Sequence, residues 1–178
     1  VGAGATAMLE GELLVGGSQG GTLALQMDLD GHFDGDGLAR AGVGASLYVS
    51  VLRAATGRRD VDDLASIHLR WQPGDADATL TWPASGDVQI DDLDHRGVRA
   101  ALRAQVPLAP GDIVRVNGFL NTSATGYLPG TDILADFGNT AQLSLRASPG
   151  LVLSPVEAGF LQLAPVPEPG TWALLSGG

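Results

Sequence analysis

Thr22-Leu23-Ala24-Leu25-Gln26-Met27-Asp28-Leu29 is the stretch on which the fold turns, with apolar side chains at every second position and polar or small ones between. An extended chain points successive side chains to opposite faces, so this pattern predicts a strand with one face on a core and the other in water. The pattern recurs at Val98, Ala100, Leu102, Ala104 and Val106, set against Arg99, Arg103 and Gln105. It recurs again at Leu143 and Leu145, set against Gln142, Ser144 and Arg146. Shorter alternations cover 7–15, 44–53, 66–71, 78–82, 113–120, 133–137 and 159–164. Phase along these runs predicts a core of Leu23, Leu25, Met27, Val49, Val51, Leu69, Leu102, Val114, Val116, Leu143 and Leu145.

Turn signals separate the runs: Asp30-Gly31, Asp34-Gly35, Pro73-Gly74, Ser85-Gly86, Pro110-Gly111, Pro129-Gly130 and Pro149-Gly150. A helical turn or two is expected only over 61–65. Many short strands at close spacing predict an all-β chain, an antiparallel β-sandwich or jelly roll over 1–164, followed by an extended C-terminal arm over 165–178. In that arm Pro165, Pro167 and Pro169 fix φ and remove amide donors at alternate positions, which favours a polyproline-like conformation.

Composition bounds the function. The 178 residues suffice for one domain with a real core, and 26 glycines with 5% aromatic residues suit sheets of small side chains joined by turns. Ten arginines and no lysine face twenty acidic residues, for a net charge of −10. Nucleic acid and anionic membrane surfaces, which need a basic face, are not expected partners. The absence of cysteine excludes disulfides, thiol nucleophiles and thiolate metal sites. No stretch reaches the roughly 20 apolar residues of a membrane helix. The sequence opens at Val1 with no charged leader region or long apolar run, which reads as a chain whose signal peptide has been removed.

Val166-Pro167-Glu168-Pro169-Gly170-Thr171-Trp172-Ala173-Leu174-Leu175 closely resembles the start of the PEP-CTERM sorting signal of exported proteins in Gram-negative bacteria. In that family the string leads into a membrane helix and an Arg-rich tail. Here the sequence ends at Gly178, as expected of a chain processed or cut within the signal. The resemblance implies export, processing at the membrane by an exosortase, and delivery to the cell surface or the extracellular matrix. A looser similarity to the sandwich domains of the same family runs through Gly16-Gly17-Ser18-Gln19-Gly20-Gly21-Thr22-Leu23, Leu29-Asp30-Gly31 and Ala135-Asp136-Phe137-Gly138-Asn139-Thr140-Ala141-Gln142-Leu143. The family is associated with exopolysaccharide matrix and flocs, and it carries no shared catalytic residues.

The densest candidate site is Asp28-Leu29-Asp30-Gly31-His32-Phe33-Asp34-Gly35-Asp36-Gly37. Carboxylates of Asp28, Asp30, Asp34 and Asp36 on a tight loop would offer several hard oxygens to one Ca²⁺, although no bidentate Glu closes the run. The competing reading is a solvated Asp-Gly hairpin turn. Asp60, Asp62 and Asp63 after Arg58 and Arg59 read as a charge-paired exposed loop, and Asp87, Asp91, Asp92 and Asp94 as an acidic surface loop.

Catalysis is not expected. Gly16-Gly17-Ser18-Gln19-Gly20 fits the pattern of a nucleophile elbow but precedes a strand rather than a helix, and Gly2-Ala3-Gly4-Ala5-Thr6-Ala7 mimics a dinucleotide fingerprint without its flanking elements. His32, His68 and His95 are scattered, with His68 on the polar face of its strand. Among Trp71, Trp82, Trp172, Tyr48 and Tyr127, Trp71 phases with the core beside Ile67 and Leu69, leaving few platforms for sugars. The sequence therefore predicts an exported structural protein of the surface or biofilm matrix, a homo-oligomer or filament using its arm to complete a neighbour's sheet. A calcium- or polysaccharide-binding surface module is the second expectation.

Overall fold

Extended segments of alternating polarity must satisfy two demands at once: main-chain groups need neighbouring strands, and apolar faces need a core. The computed structural model meets both with two antiparallel sheets packed face to face. It describes residues 2–35, 38–71, 79–80, 84–93, 97–126, 134–137 and 141–156. The strands are β1 (Gly2–Gly16), β2 (Gly21–Asp34), β3 (Leu38–Leu52), β4 (Arg59–Trp71), β5 (Thr79–Leu80), β6 (Asp87–Leu93), β7 (Gly97–Leu108), β8 (Ile113–Gly126), β9 (Leu134–Asp136), β10 (Ala141–Ala147) and β11 (Val152–Pro155). The larger sheet runs β11-β1-β8-β3-β4-β5 and the smaller β10-β2-β7-β6, with β9 also paired to β2. The nested pairings β1–β8 and β2–β7 carry the chain from sheet to sheet side by side, in the manner of a rolled hairpin.

The inner faces supply one continuous core. Leu23, Leu25, Met27, Val49, Val51, Leu69, Leu102, Val114 and Val116 are buried as their phase predicts. Leu143 and Leu145 are only half-buried against the core, because β10 lies at a sheet edge. Trp71 is a core residue, its ring edge-on to Phe33 at 5.1 Å between centroids. Two turns have the chemistry expected of them. At Ala109-Pro110-Gly111-Asp112 and Ser148-Pro149-Gly150-Leu151, proline presets the first central position and glycine takes positive φ (87° in both) at the second. The closing bonds run from Asp112 N to Ala109 O, 3.1 Å, and from Leu151 N to Ser148 O, 3.2 Å.

Four expectations are corrected. Asp30-Gly31 is not a turn: β2 continues through it, pairing Gly31 with Val98. Glycine is required there because an added Cβ would lie 2.4 Å from Phe137 Cδ1 and 2.7 Å from the Asp136 carbonyl. The segment 61–65 is strand, its main chain paired to β3 over Ser50 to Leu47. Pairing along a long neighbour outweighs the weak local helix preference. The acidic loop at Asp87, Asp91 and Asp92 is the edge strand β6, with charged side chains where an open sheet edge needs them. Finally, the first strand is longer than the expected 7–15: β1 runs over Gly2–Gly16, and residues 17–20 carry the chain across to the other sheet.

Candidate functional site

The predicted calcium residues sit on a strand instead of a loop. Asp28, Asp30 and Asp34 project outward from β2 at every second or fourth residue, and at about 3.3 Å rise per residue the first and last are roughly 20 Å apart along the strand. Each has a local partner. Asp28 accepts from Gln26 Nε2 at 2.7 Å, Asp30 pairs with Arg99 at 3.3 Å, and Asp34 accepts from the Gly35 amide at 2.7 Å. Asp36 and the arm residues Val166 to Leu175 lie outside the described residues, as do Asp94, Trp82, Trp172 and Tyr127. Among the described residues no group of three or more His, Asp or Glu is placed to hold a metal ion.

A second acidic constellation has a structural role that its sequence does not announce. Asp112 is 2% exposed at the mouth of the β7–β8 turn. Its Oδ1 accepts from the Ala54 amide at 2.9 Å, and its Oδ2 from the Ala109 amide at 3.0 Å and Arg53 Nη1 at 3.2 Å. Arg53 also donates to the Pro107 carbonyl at 2.7 Å and pairs with Asp60 and Asp62. Burial alone would raise the Asp112 carboxyl, but the two amides and the guanidinium outweigh it and hold the group below its ordinary value. Asp62 is the extra residue of a β-bulge opposite Val49 and Ser50, which turns it toward Arg53. Burial pushes Asp62 up despite Arg53, and its Oδ2 is buried without a partner. Arg53, not Arg58 or Arg59, is thus the cation that organises these aspartates; Arg59 pairs with Glu12 at 3.1 Å across the larger sheet.

A groove lies on the outer face of the larger sheet. Register aligns Gly42 and Gly44 of β3 between Arg70 and His68 of β4 on one side and Ser123 and Asn121 of β8 on the other. Two residues without side chains between flanking ones that have them make a trough, a shallow groove of about 320 Å³. Gly44 is close-packed as well as small, since a Cβ there would lie 2.8 Å from His68 Nδ1. Arg40 closes one end, and Phe119, 38% exposed, lies at the other. The lining contains two arginines and a histidine and no carboxylate. The sequence reading missed this site, because it arises only when three strands are set in register. The out-of-phase Phe119 in the alternation over 113–120 was the one available signal.

Comparison of the chain with protein-family models, with curated proteins and with solved structures returns no match.

Proposed function

We propose that this is an exported, non-catalytic β-sandwich of the cell surface or extracellular matrix that holds acidic polysaccharide on the outer face of its larger sheet. Export, and handling by an exosortase-type enzyme, rest on the sorting-signal resemblance at Val166 to Leu175. The binding role rests on the glycine-floored groove. Open troughs suit chain-like ligands, and amide and hydroxyl side chains such as Asn121 and Ser123 match sugar hydroxyls. An exposed aromatic ring offers a stacking face, and Arg40 offers a planar fork to carboxylates. Uronate-bearing chains satisfy all of these features, whereas a neutral glycan leaves Arg40 unused.

Titration calorimetry with alginate or polygalacturonate, against dextran as a neutral control, tests the reading. The Arg40→Ala/Asn121→Ala variant should weaken binding of the acidic chains roughly tenfold or more, the loss of about 1.4 kcal/mol or more in polar contacts. Gly44→Ala, which displaces His68 into the trough, should weaken it too. Unchanged affinity in both variants, or equal affinity for dextran, would refute the assignment. A second reading, strand exchange between copies to build oligomers or filaments, is favoured by the edge of β1 from Gly2 to Gly11, which no strand among the described residues meets.

A further inference from the structure

The trough has an axis, and its two ends differ in chemistry. Gly42, Gly44 and Ser46 follow one another on the outer face of β3, each flanked by β4 and β8, so the depression runs along that strand. At one end stands Arg40. At the other, Phe119 of β8 lies opposite Ser46, and Tyr48 comes next on β3, paired with Asn117. Phe119 and Tyr48 are therefore diagonal neighbours on one sheet face, a relation within reach of aromatic side chains. Phe119 is exposed and Tyr48 half-buried. From Arg40 to Ser46 is six residues of β3, which at about 3.3 Å per residue sets the two ends roughly 20 Å apart, the length of about four pyranose rings in an extended chain.

Charge follows the same axis. No carboxylate lines the trough where Arg40 stands. Beyond the rings, Glu10 of β1 is opposite Asn117, and Arg115 pairs with both Glu10, at 3.6 Å, and Glu12, at 2.9 Å. The arginine on that side is thus already matched by carboxylates, and an aromatic face itself carries negative potential. An anionic group gains at the Arg40 end and loses over the rings, where the apolar face of a neutral sugar gains. Building on the polysaccharide reading above, we infer that the trough selects chains that mix acidic with neutral sugars, seating a uronate at Arg40 and a neutral sugar on Phe119 and Tyr48. A chain long enough to reach both ends makes the second contact intramolecularly.

Hyaluronan oligosaccharides, which alternate glucuronate with N-acetylglucosamine, are the probe, and tetragalacturonate is the all-acidic chain of equal length. In titration calorimetry the hyaluronan tetrasaccharide should bind roughly tenfold more tightly than the disaccharide, with little further gain at the hexasaccharide, and more tightly than tetragalacturonate. Phe119→Ala, at an exposed position, should remove most of that tenfold advantage while changing the disaccharide little, since the disaccharide seats at Arg40. Tyr48→Leu, which keeps the bulk and removes the ring, should repeat the effect. Equal affinity for disaccharide and tetrasaccharide would overturn the two-ended site. Tetragalacturonate binding as tightly as the hyaluronan tetrasaccharide would overturn the preference for mixed chains. In either case a preference for alginate or polygalacturonate over dextran would leave the polysaccharide reading standing, whereas loss of that preference too would overturn both.

Discussion

Replacing Asp112 with Asn tests the claim that one buried carboxylate ties the β3–β4 and β7–β8 turns together. The side chain receives three donors, the amides of Ala54 and Ala109 and the Arg53 guanidinium. Asparagine keeps the volume but offers one carbonyl, so its NH₂ must confront either Ala54 N–H or the Ala109 and Arg53 donors. The variant loses the charge that complements Arg53 and leaves at least one buried donor unpaired. Breaking a buried pair from one side costs about 3–5 kcal/mol. For a chain of this size each kcal/mol moves Tm by about 2–4 °C, which makes the expected drop roughly 6–20 °C.

Differential scanning calorimetry at neutral pH measures that drop, and pH separates its origin. The folded carboxyl lies below its ordinary value of 3.8, so its stabilisation is fully present above 3.8 and is lost as pH falls through the lower folded value. The gap between wild type and Asp112→Asn should accordingly close well below pH 3.8. Asp62 has the opposite sign: with its folded value raised, it contributes a penalty that grows as pH rises from 3.8 through that value. A variant Tm within about 2 °C of wild type at neutral pH would refute the reasoning, since it would mean the three donors find water or other acceptors without cost.

Leu102→Ala removes a side chain that is 0% exposed at the centre of the core, and should cost about 2–5 kcal/mol in denaturant unfolding; a loss under about 1 kcal/mol would mean the two sheets do not close over it. Gly31→Ala should destabilise by about 1–3 kcal/mol, because its Cβ meets both the Phe137 ring and the Asp136 carbonyl. A neutral outcome there, read by thermal shift, would mean β9 is not held against β2 as described.

The strands and most of the core were legible because period-two alternation is a local signal carried by each segment on its own. Leu23 to Leu29 and Val98 to Val106 needed no knowledge of their neighbours. What sequence reading got wrong depended on partners. Asp30-Gly31 carries the composition of a turn, but its glycine serves a ring arriving from Phe137, more than a hundred residues away in the chain. Residues 61–65 became strand because β3 stood beside them, and Asp62 left the alternation only because a bulge displaced it. Asp112 looked like part of a Pro-Gly turn. Its burial is decided by the meeting of that turn with Ala54 on another hairpin.

The groove follows the same logic and adds an electrostatic step. Glycines at 42 and 44 carry no local signal of a site, and only the registers of β3 with β4 and β8 make them a floor between flanking side chains. The chain as a whole carries a charge of −10, so an acidic polysaccharide is repelled by most of its surface. On the same outer face, Arg115 is engaged by Glu10 and Glu12, and Arg59 by Glu12. On the smaller sheet Arg99 is engaged by Asp30, and Arg103 is hydrogen-bonded by Gln26 and Gln89. The trough is lined without a carboxylate, and under the proposed function Arg40 at its end would supply the attraction to an anionic chain, set against repulsion elsewhere. Added salt screens both, the distant repulsion more completely than the short-range contacts. Affinity for uronate chains should therefore fall less steeply with ionic strength than it would on a uniformly basic surface.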